Sequence, residues 1–165
     1  MRQPHLLRLG DAYAADDATV VGDVTLGRET NVWYGAVIRG DVAAISIGAR
    51  TNIQDLTVVH PQHDEDVFVG EDCVVGHGVM LHCREVGDGC LIGMGSILLP
   101  GARVGPQCLV AAGALVPVGM QVPARKVVMG SPARVVRDVR DEELVAFGAV
   151  VQRYLKLVQE HLLES

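Results

Sequence analysis

The sequence predicts an all-β fold: a parallel β-helix of hexapeptide repeats with a C-terminal α-helix packed along the prism. Three observations carry that expectation. A period of six organises residues 20–121. Glycine supplies 19 of 165 residues while aromatic residues supply only 4%. A helical apolar period begins at Asp141.

The repeat is read from aliphatic residues followed by glycine: Leu26-Gly27, Ile47-Gly48, Val69-Gly70, Val75-Gly76, Val86-Gly87, Ile92-Gly93 and Val104-Gly105. The first positions of the hexads run Val20, Leu26, Val32, Ile38, then Ile47, Ile53, Val59, then Val69, Val75, Leu81. From Val86 they continue without interruption through Ile92, Leu98, Val104, Val110 and Val116. Three extra residues precede Ile47, four precede Val69, and one residue is missing before Val86. Each hexad makes a short strand and a corner, and three hexads complete one coil of a triangular prism.

The fifth residue of each hexad belongs at a tight inner corner. It reads Val24, Thr30, Ala36, Val42, Thr51, Thr57, Cys73, Val79, Glu85, Cys90, Ser96, Ala102, Cys108 and Ala114. Most are small. Cys73, Cys90 and Cys108 are therefore expected to be small buried hydrophobes rather than metal or redox groups. Cys83, beside His82, is read as a structural thiol.

The repeat ends after Met120, and Gly130-Ser131-Pro132-Ala133-Arg134 reads as a turn. Leu144, Phe147, Val151, Tyr154, Leu155, Val158 and Leu162 then recur at three- and four-residue steps. Asp141, Glu142 and Glu143 suit the first turn of that helix, where negative charge meets the positive end of the helix dipole. Residues 1–137 form the β-helix domain, and 138–165 form the terminal helix of the same domain.

Composition narrows the function. Fourteen basic against twenty acidic residues give a net charge of −6, with no basic tract to bind a phosphate backbone. No nucleic-acid partner is expected. The uncharged stretch Val104–Ala124 is broken by three prolines and three glycines, so no membrane span is expected either. The opening residues lack the apolar run of a secretory signal, which points to the cytoplasm.

The register also places side chains. The hexads starting at Val20, Ile38, Val59, Leu81, Leu98 and Val116 share one face, with coils about 4.8 Å apart. Their second residues form the column Val21, Arg39, His60, His82, Leu99, Pro117. His60 and His82 thus stack and could share a metal. His77 falls on the preceding face, directly above Asp55, and a neighbouring subunit could bring it to that metal. A homotrimer with a three-histidine site at each boundary is the resulting expectation. Three neutral imidazoles leave a fourth coordination position open, as in catalytic zinc sites. The alternative reading of the same column is a pair of surface or hydrogen-bonding histidines. His5, His63 and His161 are expected to be solvated.

Arg39-Gly40-Asp41, Asn52-Ile53-Gln54-Asp55, Val59-His60 and His77-Gly78-Val79-Met80-Leu81-His82 resemble the γ-class carbonic anhydrases, and the resemblance covers nearly the whole chain. It implies a left-handed β-helix trimer, with zinc (or iron or cobalt) held by His60, His77 and His82. It implies that Gln54 orients the metal-bound water, that Asn52 lies near the site, and that Tyr154 approaches the pocket from the final helix. Arg39 and Asp55 would form a salt bridge across the subunit boundary, with Asp41 a second acidic position stabilising the trimer. The reaction would be reversible hydration of carbon dioxide to bicarbonate by a metal-bound hydroxide. Two departures stand out: Val42 replaces the glutamate that follows the Arg-x-Asp of the archaeal prototype, and the loop after His60 is short. His63 and Glu65 in that loop are the available proton shuttles.

The scaffold admits other chemistry. Acyl-CoA thioesterases and acyltransferases share the hexapeptide repeat, and a metal-activated hydroxide could attack a thioester carbonyl. A non-catalytic metal-binding subunit is the remaining reading.

Overall fold

The computed structural model describes residues 5–162. A hairpin of Leu6–Leu9 and Ala12–Ala15 opens the described residues, and parallel strands, mostly of two or three residues but longer at Thr19–Leu26 and Val37–Ile47, then wind into a solenoid with three faces. The face that carries the histidine column pairs Val20 with Ile38, Ile38 with Val59, Val59 with Leu81, Leu81 with Leu98 and Leu98 with Val116. That is the order expected from counting hexads. Fourteen of the sixteen first-position aliphatics are buried, and Val20 and Leu26 pack on the same core from partly buried positions.

The six-residue step extends beyond the expected limits. Ala14 pairs beside Val32 one hexad before Val20, and Val122 and Val128 continue inward after Val116. Alanine gives a weak apolar signal, and Pro123 and Lys126 disguise the last two steps. The chain then turns at Ser131-Pro132 between the antiparallel strands Lys126–Gly130 and Ala133–Asp138.

Two members of the inner-corner series are not inside. Val42 lies in the three-residue insertion and is 37% exposed, its place in the core taken by Ile45. The deletion before Val86 turns Glu85 outward, where it ion-pairs with Arg103 on the next coil; Cys83 fills that corner. Burial pushes the Cys83 thiol up to about 12, so the thiolate needed for redox chemistry is disfavoured. Cys73, Cys90 and Cys108 are fully buried in the core. Their sulfurs donate to backbone carbonyls of the following coil, such as Cys73 to Gly87 and Cys90 to Gly105.

The helix spans Asp141–His161 and lies along the face containing Asn31–Val32, Asn52–Ile53 and Val74–Val75. Near its start, Phe147 packs with Leu91, Leu109 and Val127; near its end, Val158 packs with Leu6, Tyr13 and Trp33. Glu143 accepts from the Arg140 backbone N–H and from both arms of Arg137, which closes the first turn. His161 is not a solvated terminal residue: its Nδ1 lies 2.9 Å from the Tyr34 hydroxyl and its ring meets Trp33 edge-on. No helix among the described residues is long and apolar enough to cross a membrane.

Candidate metal centre

The strand residue that follows each inward aliphatic points outward, so Ile38, Val59 and Leu81 present Arg39, His60 and His82 on one face. The His60 and His82 rings stack with centroids 5.4 Å apart and planes 8° from parallel. Their nitrogens have defined partners. His82 Nδ1 lies 2.6 Å from the His60 carbonyl, which can only accept, so Nδ1 carries the proton. The neutral ring then keeps its lone pair at Nε2; the nearby Gln62 Oε1, at 3.2 Å, also only accepts and makes no hydrogen bond with that lone pair. His60 Nε2 faces Asp41 Oδ1 at 3.1 Å, which leaves the lone pair of the neutral ring at Nδ1.

Asp41 also takes Arg39 within the same chain. Partial desolvation pushes the Asp41 carboxyl up, but the hydrogen bonds from Arg39 and His60 outweigh it and hold it below its ordinary value.

His77 sits at a corner that turns toward the helix-covered face. Its Nδ1 is 2.6 Å from Asp55 Oδ2, one coil away, so Nε2 is the nitrogen with a lone pair to offer. A histidine whose second nitrogen is held by a carboxylate is the usual supporting arrangement of a metal ligand. Among the described residues, no three His, Cys, Asp or Glu side chains of one chain gather closely enough to hold a metal. His60 and His82 stand together on one face and His77 on another, so one chain alone does not bring the three imidazoles together. Three neutral imidazoles fit zinc, iron or cobalt.

Around His77 the structure gathers Gln54 and Tyr154 into one cleft of about 380 Å³ between the helix and the solenoid. Gln54 is 5% exposed, and its NH2 donates to Asn52 Oδ1 at 2.9 Å. Asn52 donates in turn to Asn31 Oδ1 at 2.7 Å, which also accepts the Trp33 indole N–H at 2.8 Å. This buried amide ladder fixes Gln54 with Oε1 left to accept. Tyr154 stands edge-on to Trp33, ring centroids 5.1 Å apart. Burial pushes its hydroxyl up from its ordinary value, Asp55 adds to that, and Arg153 opposes it.

The loop after His60 is short and exposed. His63 pairs with its neighbour Asp64 at 2.7 Å, and Glu65 reaches Arg84 only at 3.9 Å. Sequence reasoning did not single out Asn31, Trp33 or Gln62. Column counting could have found the first, because Asn31 stands one coil from Asn52 in strand register. Gln62 lies in an insertion, where the repeat carries no positional information.

Comparison with known proteins places the repeat among characterised relatives. Residues 85–117 match the family model described as bacterial transferase hexapeptide (six repeats). A carbonic anhydrase of Geobacillus kaustophilus is 40% identical, over 88% of this chain and 80% of the relative. The mitochondrial γ carbonic anhydrase 2 of Arabidopsis thaliana is 38% identical over 94% of this chain, which spans only 58% of that longer relative. Among solved structures, a hexapeptide transferase family protein from Anaplasma phagocytophilum superposes with a TM-score of 0.86 at 36% identity, over 92% of this chain and 90% of the other. With the repeat, the histidine column and a relative of this identity and coverage together, the chain belongs to the γ-class carbonic anhydrase family of hexapeptide-repeat proteins.

Proposed function

We propose that the protein is a metal-dependent carbonic anhydrase that interconverts carbon dioxide and bicarbonate at sites formed between the copies of a homotrimer. His60 and His82 of one copy and His77 of the next would hold zinc, iron or cobalt. The observation that carries this reading is the division of the donor set. Two stacked imidazoles lie on one face, and a carboxylate-anchored third lies on another, each with one nitrogen fixed by an acceptor. The relatives named carbonic anhydrase support the activity.

A divalent metal held there would supply a Lewis acid that brings the pKa of water to about 7. The chain's own residues do the rest. Asp55 keeps the His77 ring turned so that Nε2 faces outward. Gln54, held by the Asn52–Asn31–Trp33 ladder, would present Oε1 to accept a hydrogen bond from the reacting water and so orient it. Tyr154 closes the cleft from the helix side and limits bulk water. His63 and Glu65, on the exposed loop beyond His60, carry the released proton to solvent. Arg39 sits at the edge of the histidine column, paired with Asp41 of its own chain; in the trimer it would reach Asp55 of a neighbouring copy, with Asp41 the second acidic position at that boundary.

The test is one sample assayed twice. The protein is purified anaerobically, bound metal per chain is measured, and carbon dioxide hydration is followed on the same material. About one metal per chain with measurable hydration supports the proposal. Stoichiometric metal without hydration, but with thiol release from acyl-CoA, would instead favour the acyl-transfer reading that the Anaplasma structural relative suggests. No metal after reconstitution overturns both.

A further inference from the structure

The cleft beside His77 is larger than its proposed substrate requires. Its lining spans four successive coils, from Gln54 through Gly76 and His77, then Leu91 and Met94, to Leu109 and Ala112. At about 4.8 Å per coil that is a trough roughly 14 Å long. A volume of about 380 Å³ matches small-molecule sites rather than a triatomic gas. Below Gln54 the floor is apolar. Gly76 and Gly93 are required there by coil stacking, since a Cβ would lie 2.8 Å and 2.4 Å from backbone nitrogens of the next coil. Neither glycine adds a side chain to the cleft lining.

One positive charge stands over it, while the Asp55 carboxylate sits against His77. Arg153 lines the cleft from the helix, next to Tyr154. Arg39, Arg50, Arg103, Arg125 and Arg137 are each paired with carboxylates, whereas Arg153 makes no ion pair among the described residues. In a chain of net charge −6, an unpaired guanidinium beside an apolar trough selects an anion with a hydrophobic tail.

We propose that this cleft is a binding site for aliphatic monocarboxylates, with the carboxylate on Arg153 near the His77 end and the alkyl chain along Leu91, Leu109 and Ala112. The assignment of the His77 end as the reacting end rests on the function proposed above; the binding itself does not. A carboxylate bound there would occupy the mouth of the cleft and compete with bicarbonate.

Trp33 is the only tryptophan in the chain and touches Tyr154, so its fluorescence reports on occupancy. The full-length protein, without added metal, is titrated with acetate, butanoate, hexanoate and octanoate below their micellar concentrations. Affinity should rise about threefold to fourfold per added methylene, the factor for burying one CH2, until the trough is filled. Arg153→Gln should weaken hexanoate binding at least tenfold and Arg153→Lys should restore part of it. Ala112→Phe should abolish the gain with chain length while leaving acetate binding unchanged. Chain-length-independent binding, or hexanoate affinity unaffected by both Arg153→Gln and Ala112→Phe, would overturn the proposal. Metal content of the same variants is measured separately. Loss of carboxylate binding with metal intact, or the reverse, separates failure of this site from failure of the metal centre.

Discussion

The imidazole of His77 and the carboxylate of Asp55 meet at 2.6 Å although 22 positions separate them, because one coil of the solenoid returns the chain to the same corner. The contact fixes the tautomer of His77 and therefore which nitrogen can reach a metal. Asp55→Ala removes that control, and metal affinity should fall about 10- to 100-fold. Asp55→Asn keeps an acceptor and should lose less. Competition with a chelator of known affinity checks both; unchanged affinity in Asp55→Ala would show that the contact does not support a ligand.

The amide ladder is expected to matter to stability as well as to Gln54. Asn52→Ala strands the Gln54 NH2 and one acceptor site of Asn31 in a buried setting. A cost of about 1–3 kcal/mol is expected in urea unfolding. Gln54→Ala, which removes only the end of the ladder, should cost less.

Coil stacking leaves no room at Gly93, where an added Cβ would lie 2.4 Å from the Ala112 nitrogen. Gly93→Ala should destabilise by about 1–3 kcal/mol or more, as overpacking does. Gly148, with nothing within 4 Å of a built Cβ and a helical backbone, should instead gain from Gly148→Ala by up to about 1 kcal/mol. Paired thermal melts test the contrast.

Hydrogen bonds from Arg137, then from the Arg140 backbone and side chain, hold the Glu143 carboxyl far below its ordinary value of 4.5. A depressed folded-state pKa means a contribution present above about pH 4.5 and lost as pH falls below it. Glu143→Gln should therefore lower the melting temperature at pH 7 and show a smaller further drop between pH 5 and pH 3 than the parent. Parallel acid limbs in parent and variant would contradict this.

The regular part of the molecule was legible because the prism converts sequence spacing directly into position. Counting hexads placed Arg39, His60 and His82 in one column and His77 above Asp55, and the strand pairings and the His77–Asp55 contact follow that count. What escaped lies where the count fails. Val42 and Glu85 flank an insertion and a deletion, and there the chain turned them outward in favour of Ile45 and Cys83. Ala14 and Val128 belong to the repeat but stand beside antiparallel hairpins that break the period. His161 looked solvated because its partners, Trp33 and Tyr34, are more than a hundred residues away and meet it only when the helix folds back. The cleft with Arg153 has the same origin, since no local pattern says which helical residue will overhang the solenoid beside His77.

A metal site divided between copies is open to a mixing experiment with two complementary variants. His77→Ala and His82→Ala chains, each expressed alone, should bind no metal. Coexpressed in equal amounts, they should regain about a quarter of the parental metal content and of the carbon dioxide hydration, because random assembly restores one intact boundary in four. Mixtures that stay as empty as either variant would contradict a shared site and place all the ligands within one chain.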